Sequence, residues 1–357
     1  MPLTLSHGGD TIFSSTSRSN ELLVGTKDGV VSIKREDTGS AWRVADRFLT
    51  GKHIHAVIVE PISGAIIAGA THDSVYVSED SGKTWEQRDD GITHHDIYSL
   101  ASARVNGGAR IFAGTQPAHL FYSDDLGRHW SELPALRSGD LSQWTFPAPP
   151  HVAHTKHINF HPTDSNTLFV SIEQGGLMKS TDGGRAFKEI PGMDSDVHRT
   201  VINPHNPDRI YITGGDGMYV TSDGGDSWEH WTTTEHEIGG YPDFLVLHPR
   251  NPDLVFVSAA QHGPGSWRES RYAGTRISRS TDGGRTWETV RGGLPDRLQT
   301  AVEAMCLEDW GDSFSIFAAT ATGEIWSSED GGEHWSEIVT GLAPISKGDH
   351  YMSLIPA

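Results

Sequence analysis

Residues 78–85 read Ser78-Glu79-Asp80-Ser81-Gly82-Lys83-Thr84-Trp85, which is one copy of the pattern Ser/Thr-x-Asp-x-Gly-x-x-Trp. The pattern recurs along the 357 residues of the chain, with a degenerate first copy and with Phe187 replacing the tryptophan of the fourth. The aspartates of the seven copies are Asp37, Asp80, Asp125, Asp182, Asp223, Asp282 and Asp330. A repeat of roughly 40 to 45 residues matches one four-stranded blade of a β-propeller. The pattern therefore predicts an all-β chain with one domain over residues 1–357, a seven-bladed propeller of antiparallel blades.

One repeat, residues 197–231, shows how such a blade arises. Four short runs in it are apolar or alternate between apolar and polar residues, and they are rich in β-branched and aromatic side chains. Asn206-Pro207-Asp208 and a glycine-rich segment supply turns between them. The runs cover residues 197–204, 209–213, 218–221 and 227–231. The repeated motif then falls on the hairpin between the third and fourth strands.

Each residue type of the motif has a structural use at that hairpin. The carboxylate can accept backbone N–H groups across the turn. The glycine adopts a positive φ without strain, and the tryptophan offers an apolar face for packing between neighbouring sheets. We therefore interpret the aspartates of the motif as structural and not as catalytic.

These residues resemble the Asp-box, or BNR repeat, of sialidases, xyloglucan-hydrolysing glycosidases, sortilin-type receptors and photosystem II assembly factors. The resemblance covers nearly the whole chain and implies a propeller, but it does not choose among those functions. The Phe/Tyr-Arg-Ile-Pro motif of sialidases is missing, because Arg209-Ile210 is followed by Tyr211 and Arg276-Ile277 by Ser278. We therefore do not expect a sialidase.

The composition narrows the class of partner. The 28 Lys and Arg residues oppose 47 Asp and Glu residues, and the net charge of −19 disfavours nucleic acid and anionic membranes as partners. The sequence shows no secretory leader and no apolar run long enough to span a membrane, so we expect a cytoplasmic protein. Cys306 is the single cysteine, and its apolar surroundings predict a buried, unreactive thiol. The oligomeric state stays open.

Two further features concern the closure and decoration of the ring. Residues 21–26 match the second strand of a blade, and residues 351–356 match a first strand, so we expect the C-terminal strand to complete blade one and close the ring. Two connections are longer than the others, at residues 134–153 and 261–275. Both belong to the face opposite the Asp-boxes, where they can form a wall or lid over the axial funnel.

The first strands of the blades begin at this funnel. Five of them end in a proline, and the residues six positions earlier are His55, Lys156, His198, Asp243 and His350. His157 takes this place if the register shifts by one residue. The hydrophobic pattern puts His95 or Asp96 there in blade three. In blade seven it puts Thr300 there, with Glu303 deeper in the funnel.

This alignment predicts a metal centre, because imidazole and carboxylate groups together bind zinc, manganese, nickel, copper or iron. A water-filled channel lined by neutral polar residues is the simpler alternative. The candidate ligands are His55, His95, His157, His198 and His350. The candidate acids and bases are Asp243, Glu303, Glu173 and Asp96. The candidate substrate-binding residues are Lys156, Arg199, His72, His119, His262, Arg268, Arg271, Trp144 and Trp267; the two tryptophans serve equally well as anchors of the long loops.

Three functions are consistent with these residues. The first is a metal-dependent hydrolase or lyase that acts on a small polar or anionic substrate in the funnel. The second is a metal-independent glycoside hydrolase that uses Asp96 and Asp243 as its carboxylate pair. For an enzyme of either kind, we expect the partner to be a small molecule or a saccharide. The third is a cytoplasmic scaffold without catalytic activity, which binds another protein.

Overall fold

The computed structural model describes residues 1–105 and 107–345, without the side chains of Arg268 and Glu269. The described strands form seven separate sheets that follow one another around a ring, as the repeat predicts. Within blades two to seven, consecutive strands pair in antiparallel fashion from the inner to the outer edge. The seven-bladed, all-β architecture is therefore confirmed.

Blades one to three span the first third of the chain. Their strands are β1 (Leu3–Leu5), β3 (Glu21–Thr26), β4 (Gly29–Lys34) and β5 (Arg43–Phe48) in blade one; β6 (Ile54–Val59), β7 (Ile66–Ala70), β8 (Ser74–Ser78) and β9 (Glu86–Gln87) in blade two; and β10 (Asp96–Val105), β11 (Gly108–Gln116), β12 (Leu120–Ser123) and β13 (Ser131–Glu132) in blade three. The remaining strand of this region, β2 (Ile12–Ser14), joins blade seven.

Blades four to seven follow with the same order. Their strands are β14 (His154–Phe160), β15 (Leu168–Glu173), β16 (Gly176–Ser180) and β17 (Lys188–Ile190) in blade four; β18 (Val197–Ile202), β19 (Ile210–Gly214), β20 (Gly217–Thr221) and β21 (Glu229–Thr232) in blade five; β22 (Tyr241–Leu247), β23 (Val255–Ala260), β24 (Arg276–Ser280) and β25 (Glu288–Thr289) in blade six; and β26 (Val302–Asp309), β27 (Phe314–Thr320), β28 (Ile325–Ser328) and β29 (Ser336–Val339) in blade seven.

Burial falls from the axis to the rim of each blade. Every residue of β6, β22 and β26 is buried, whereas both residues of β9 are exposed. The inner strands are covered on both faces by neighbouring blades, which explains why they read as continuous apolar runs instead of alternating ones. The hydrophobic core therefore lies between adjacent sheets, and Cys306 in β26 is part of it. Burial raises the pKa of that thiol, as expected for an unreactive cysteine.

The Asp-box hairpins lie at the turns between third and fourth strands, where the sequence places them. In blade two, Asp80 accepts hydrogen bonds from the backbone N–H and the hydroxyl of Thr84 and from Ser78 Oγ, at 2.7 to 2.9 Å. These bonds lower the pKa of Asp80 to about 2. Gly82 has φ +88°, and a Cβ there would lie 2.9 Å from the ring of Phe48. The motif thus stabilises a local turn.

The N-terminal segment forms a loop inside the ring. Strand β1 runs parallel to β3 along the inner edge of blade one, and β2 runs parallel to β26 of blade seven. Between them, Gly8 N donates to His55 O and Gly8 O accepts from Leu100 N, both at 2.9 Å. A Cβ on Gly8 would lie 2.0 Å from Tyr98 O, so only glycine fits at this tip. The predicted C-terminal closing strand and His350 lie outside the described residues.

The two long connections meet on one side of the ring. The first contains a 3₁₀ turn at Pro134–Arg137, and the second contains helix α1 at Pro264–Ser270. Phe146 from the first connection and Trp267 from the second share one buried cluster with Tyr241, at the start of an inner strand. Neither described helix is long and apolar enough to cross a membrane.

Candidate active site at the propeller axis

Each inner strand from blade two to blade seven carries a β-bulge. At every bulge one residue has no partner on the second strand, while its neighbours on either side pair with consecutive residues. A bulge turns the side chain of the extra residue away from the regular pleat. The six extra residues, which we call the bulge ring, are His55, Tyr98, Lys156, His198, Asp243 and Glu303.

The bulge ring converges on the axis. Lys156 belongs to blade four and Asp243 to blade six, yet Lys156 Nζ lies 3.9 Å from Asp243 Oδ1. The same ammonium lies 2.6 Å from Glu173 Oε2, at the end of β15. Lys156, Asp243 and Glu173 are at most 5% exposed. One buried cation therefore sits beside two buried carboxylates, and a fold does not need this costly arrangement.

Glu173 also contacts an imidazole. His154 Nε2 lies 2.7 Å from Glu173 Oε2, and the His154 ring packs on Tyr98 with centroids 3.7 Å apart. Tyr98 in turn packs on His55, at 4.6 Å. Burial lowers the pKa of His154, although Glu173 acts in the opposite direction. The ring thus places acid–base groups next to an aromatic wall.

His198 forms a second group with two carboxylates. Its Nδ1 lies 2.8 Å from the carbonyl oxygen of Pro242, and its Nε2 lies 3.4 Å from Asp196 Oδ1. Glu173, Asp196 and His198 each offer one donor atom, and these three atoms lie within 4.8 Å of one another. Among the described residues, this is the group of ionisable side chains with the spacing of metal ligands.

The tip of the N-terminal loop supports the ring from one side. Arg199 donates to His7 O at 2.6 Å and lies over the ring of Phe244, and His7 Nδ1 lies 2.9 Å from Glu303 O. Burial lowers the pKa of Arg199 to about 10. Asp10 is half-buried nearby, and burial raises its pKa to about 6 despite the opposing charge of Arg199.

Comparison with known proteins supports the fold and leaves the function open. The family model described as sortilin, neurotensin receptor 3, matches residues 175–294. A xyloglucanase of Acetivibrio thermocellus is 25% identical over 302 residues, which cover 71% of this chain and 34% of that protein. The photosystem II assembly lipoprotein of a Synechococcus strain is 20% identical over 299 residues, which cover 84% of this chain and 78% of that protein.

A solved structure also supports the fold. The xyloglucanase from Xanthomonas campestris superposes with a TM-score of 0.71 at 17% identity, over 95% of this chain and 55% of that one. The chain is a seven-bladed β-propeller with Asp-box hairpins. It spans about a third of the length of the xyloglucanase relatives that it matches. At this identity, the structural likeness concerns the fold alone.

The Asp-box propeller does not assemble the predicted histidine ligands into one ring. His55 and His198 belong to the bulge ring, but His157 lies beside it and its Nδ1 contacts Asn159 Nδ2 at 2.8 Å. Burial holds the pKa of His157 well below its usual range. The side chain of His95 is about half exposed, 3.8 Å from Asp89. The hydrophobic pattern therefore misplaced His95 in blade three, where the bulge residue is Tyr98, three positions later.

The predicted acids and bases divide into two groups. Asp243, Glu303 and Glu173 are buried at the axis, as expected. Asp96 instead accepts from the backbone N–H of His72 at 2.6 Å, and its side chain is 27% exposed. In blade three the bulge residue is Tyr98 and not Asp96, and in blade seven it is Glu303 and not Thr300. Thr300 contacts the hydroxyl of Thr322.

The predicted substrate-binding residues are spread more widely. Lys156 and Arg199 are buried at the axis, whereas His72, His262 and Arg271 are exposed on loops. His119 contacts Glu132 of the outermost strand at 2.6 Å. Arg268 lies in helix α1, and its side chain is not described.

The tryptophans of the two long connections pack as loop anchors. Trp267 is 5% exposed in the cluster with Phe146, and its Nε1 donates to His262 O. Trp144 is half-buried against the core between blades three and four. Four further residues of the site, His154, Asp196, His7 and the bulge residue Tyr98, were not predicted. No local pattern marks them, because the strand register, the pairing of neighbouring blades and the N-terminal loop bring them to the axis.

Proposed function

We propose that this Asp-box propeller is a glycoside hydrolase that acts on a saccharide at the axial site. The observation that carries the proposal is the position of Lys156 Nζ, 2.6 Å from Glu173 and 3.9 Å from Asp243. Glycoside hydrolysis commonly uses two carboxyl groups on opposite sides of the scissile bond. The similarity to xyloglucanases supports a saccharide as the substrate.

The contacts suggest a division of roles. Lys156 and His154 both lie within 2.7 Å of Glu173 Oε2, and a neighbouring ammonium stabilises a negative carboxylate. Glu173 is therefore the base or nucleophile. Asp243 lies farther from the ammonium and is the general acid that protonates the leaving oxygen. This pair replaces the predicted pair of Asp96 and Asp243, because Asp96 is engaged by His72.

The test is hydrolysis of xyloglucan oligosaccharides and aryl glycosides, assayed in chelator so that bound ions are removed. We expect release of reducing sugar, and Glu173→Gln and Asp243→Asn should each lower kcat about 10²–10⁴-fold. Asp96→Asn is the matched control and should keep full activity. The proposal is wrong if the folded protein cleaves none of these glycosides, or if Asp96→Asn is the variant that loses activity. Stable capture of a protein partner, without turnover, would favour the scaffold.

A further inference from the structure

We infer that Glu173, Asp196 and His198 bind one divalent transition-metal ion. The three residues come from different elements: the end of β15, the connection before β18, and the bulge of β18. An isolated antiparallel bridge pairs Glu173 with Asp196, so the backbone holds the two carboxylates opposite each other. The donor atoms of the three side chains lie within 4.8 Å of one another. The inference goes beyond the proposed hydrolysis and does not depend on it.

The orientation of His198 is the strongest argument. Its Nδ1 lies 2.8 Å from the carbonyl oxygen of Pro242, and a carbonyl only accepts, so Nδ1 carries the hydrogen. In the neutral ring Nε2 then presents a lone pair. That atom is fully buried and has no hydrogen-bond partner among the described residues. Metal-binding histidines are typically fixed in this way, with the second ring nitrogen bonded to a carbonyl.

The atom that faces His198 is also an acceptor. Asp196 Oδ1 lies 3.4 Å from Nε2 and likewise has no hydrogen bond to any described residue. Two buried lone pairs that face each other are unfavourable unless a cation or a proton lies between them. Bonds of about 2.0–2.1 Å in a tetrahedral zinc site separate neighbouring ligand atoms by about 3.4 Å. The observed separation therefore matches one edge of such a site.

The fold leaves room for the Asp196 carboxylate. A Cβ on Gly215 would lie 2.4 Å from Asp196 Oδ2, so the absence of a side chain at this turn allows the carboxylate to lie there. Lys156 is the competing cation, and its Nζ lies 2.6 Å from Glu173 Oε2, the oxygen that His154 Nε2 contacts at 2.7 Å. A carboxylate has two oxygens and can serve an ammonium and a metal ion together. One imidazole with two carboxylates suits zinc, and cobalt(II) is the spectroscopic substitute.

The experiment measures binding and not activity. Protein without an affinity tag is stripped with chelator, and cobalt(II) is then added while its visible absorption is recorded. We expect one cobalt ion per chain, a spectrum typical of low coordination number, and displacement by zinc. His198→Ala and Asp196→Asn should each weaken binding by at least about 100-fold.

Two controls accompany this experiment. The first tests whether cobalt binds at this cluster and not at another imidazole, and the second tests whether a variant with weakened binding is folded. His129→Ala removes an imidazole that contacts Asp125 in an Asp-box, and it should leave cobalt binding unchanged. Asp196→Asn keeps the shape of a side chain that is 14% exposed, so its folding, checked by circular dichroism, should be normal. Absence of stoichiometric binding by the folded wild-type chain would overturn the inference. Wild-type affinity in the His198 and Asp196 variants would overturn it as well, even if glycoside hydrolysis were established.

Discussion

The Asp-box hairpins and the bulge ring both recur from blade to blade, but the hairpins repeat a side chain and the ring repeats a backbone position. In the hairpins the same side chain makes the same contacts, since Asp80, Asp125 and Asp282 each accept from a hydroxyl two residues earlier and from a backbone N–H four residues later. In the bulge ring the backbone position repeats, while the side chain changes from blade to blade. The hairpin aspartates are partly exposed, and the ring is buried.

This difference separates stability from function. A turn that needs a carboxylate needs it in every blade. The same residue type at the same position of each repeat therefore indicates a structural role. A buried lysine, carboxylate or imidazole costs desolvation, and apolar residues would serve the fold better at those positions. A costly and varied set of side chains at one repeated position therefore indicates a site. Substitutions in the ring, in the loop that supports it and in the hairpins test this separation.

The largest effect is expected at Lys156. Lys156→Met leaves Glu173 and Asp243 buried without their ammonium, and loss of one partner of a buried ion pair costs about 3–5 kcal/mol. Urea unfolding of the variant should show this loss. The double variant Lys156→Met with Glu173→Gln removes charge from both sides and should recover part of it. If the double variant is less stable than the sum of the single changes, the ion pair is not what stabilises the ring.

A smaller effect is expected at the tip of the N-terminal loop. Gly8→Ala places a Cβ 2.0 Å from Tyr98 O, a backbone atom that cannot move independently, and overpacking of this kind costs about 1–3 kcal/mol. The matched control is Gly39→Ala in the first Asp-box, where the nearest atom would be 3.5 Å away. We expect the control to change the free energy of unfolding by less than about 0.5 kcal/mol. Equal effects of the two substitutions would show that the loop does not pack in the ring.

Asp10 makes the loop sensitive to pH. Burial raises its pKa to about 6 in the folded chain, against about 3.9 in the unfolded chain. The folded state therefore binds the proton more tightly, so this contribution to stability is complete below about pH 3.9 and is lost as the pH rises through about 6. Between about pH 5 and pH 7, the wild type should lose about 1 kcal/mol relative to Asp10→Asn. Parallel pH profiles of the two proteins, measured by urea unfolding, would contradict this assignment.

The sequence predicts the fold far better than it predicts the site. The Asp-boxes mark seven local turns, and a local turn needs only adjacent residues. Alignment on the terminal proline also places His55, Lys156, His198 and Asp243 correctly in the ring. The alignment does not apply in blades three and seven, whose inner strands β10 and β26 have no terminal proline, and there the hydrophobic pattern missed Tyr98 and put Thr300 in the place of Glu303.

The errors of register have one physical cause. A bulge adds one residue to a strand without changing the composition of the strand. An inner strand that is buried on both faces does not alternate between apolar and polar residues, so its sequence does not show where the extra residue lies. The register therefore slips unless another marker fixes it. Contacts such as His154 with Glu173 across β14 and β15 depend on the same register. Asp196 lies opposite Glu173 of the neighbouring blade, and His7 lies in the N-terminal loop inside the ring, so neither position follows from residues adjacent in sequence.

The smallest effect is expected in the Asp-boxes. Asp125→Ala removes the bonds to Ser123 Oγ and to the backbone N–H of His129, but the carboxylate is 40% exposed, and water replaces much of what is lost. We expect a loss of about 1 kcal/mol in urea unfolding and unchanged cobalt binding and hydrolysis. Asp125→Asn retains an acceptor oxygen and should lose less. A change in cobalt affinity or in kcat in either variant would remove the distinction between the two repeated features, because it would couple an outer hairpin to the axis.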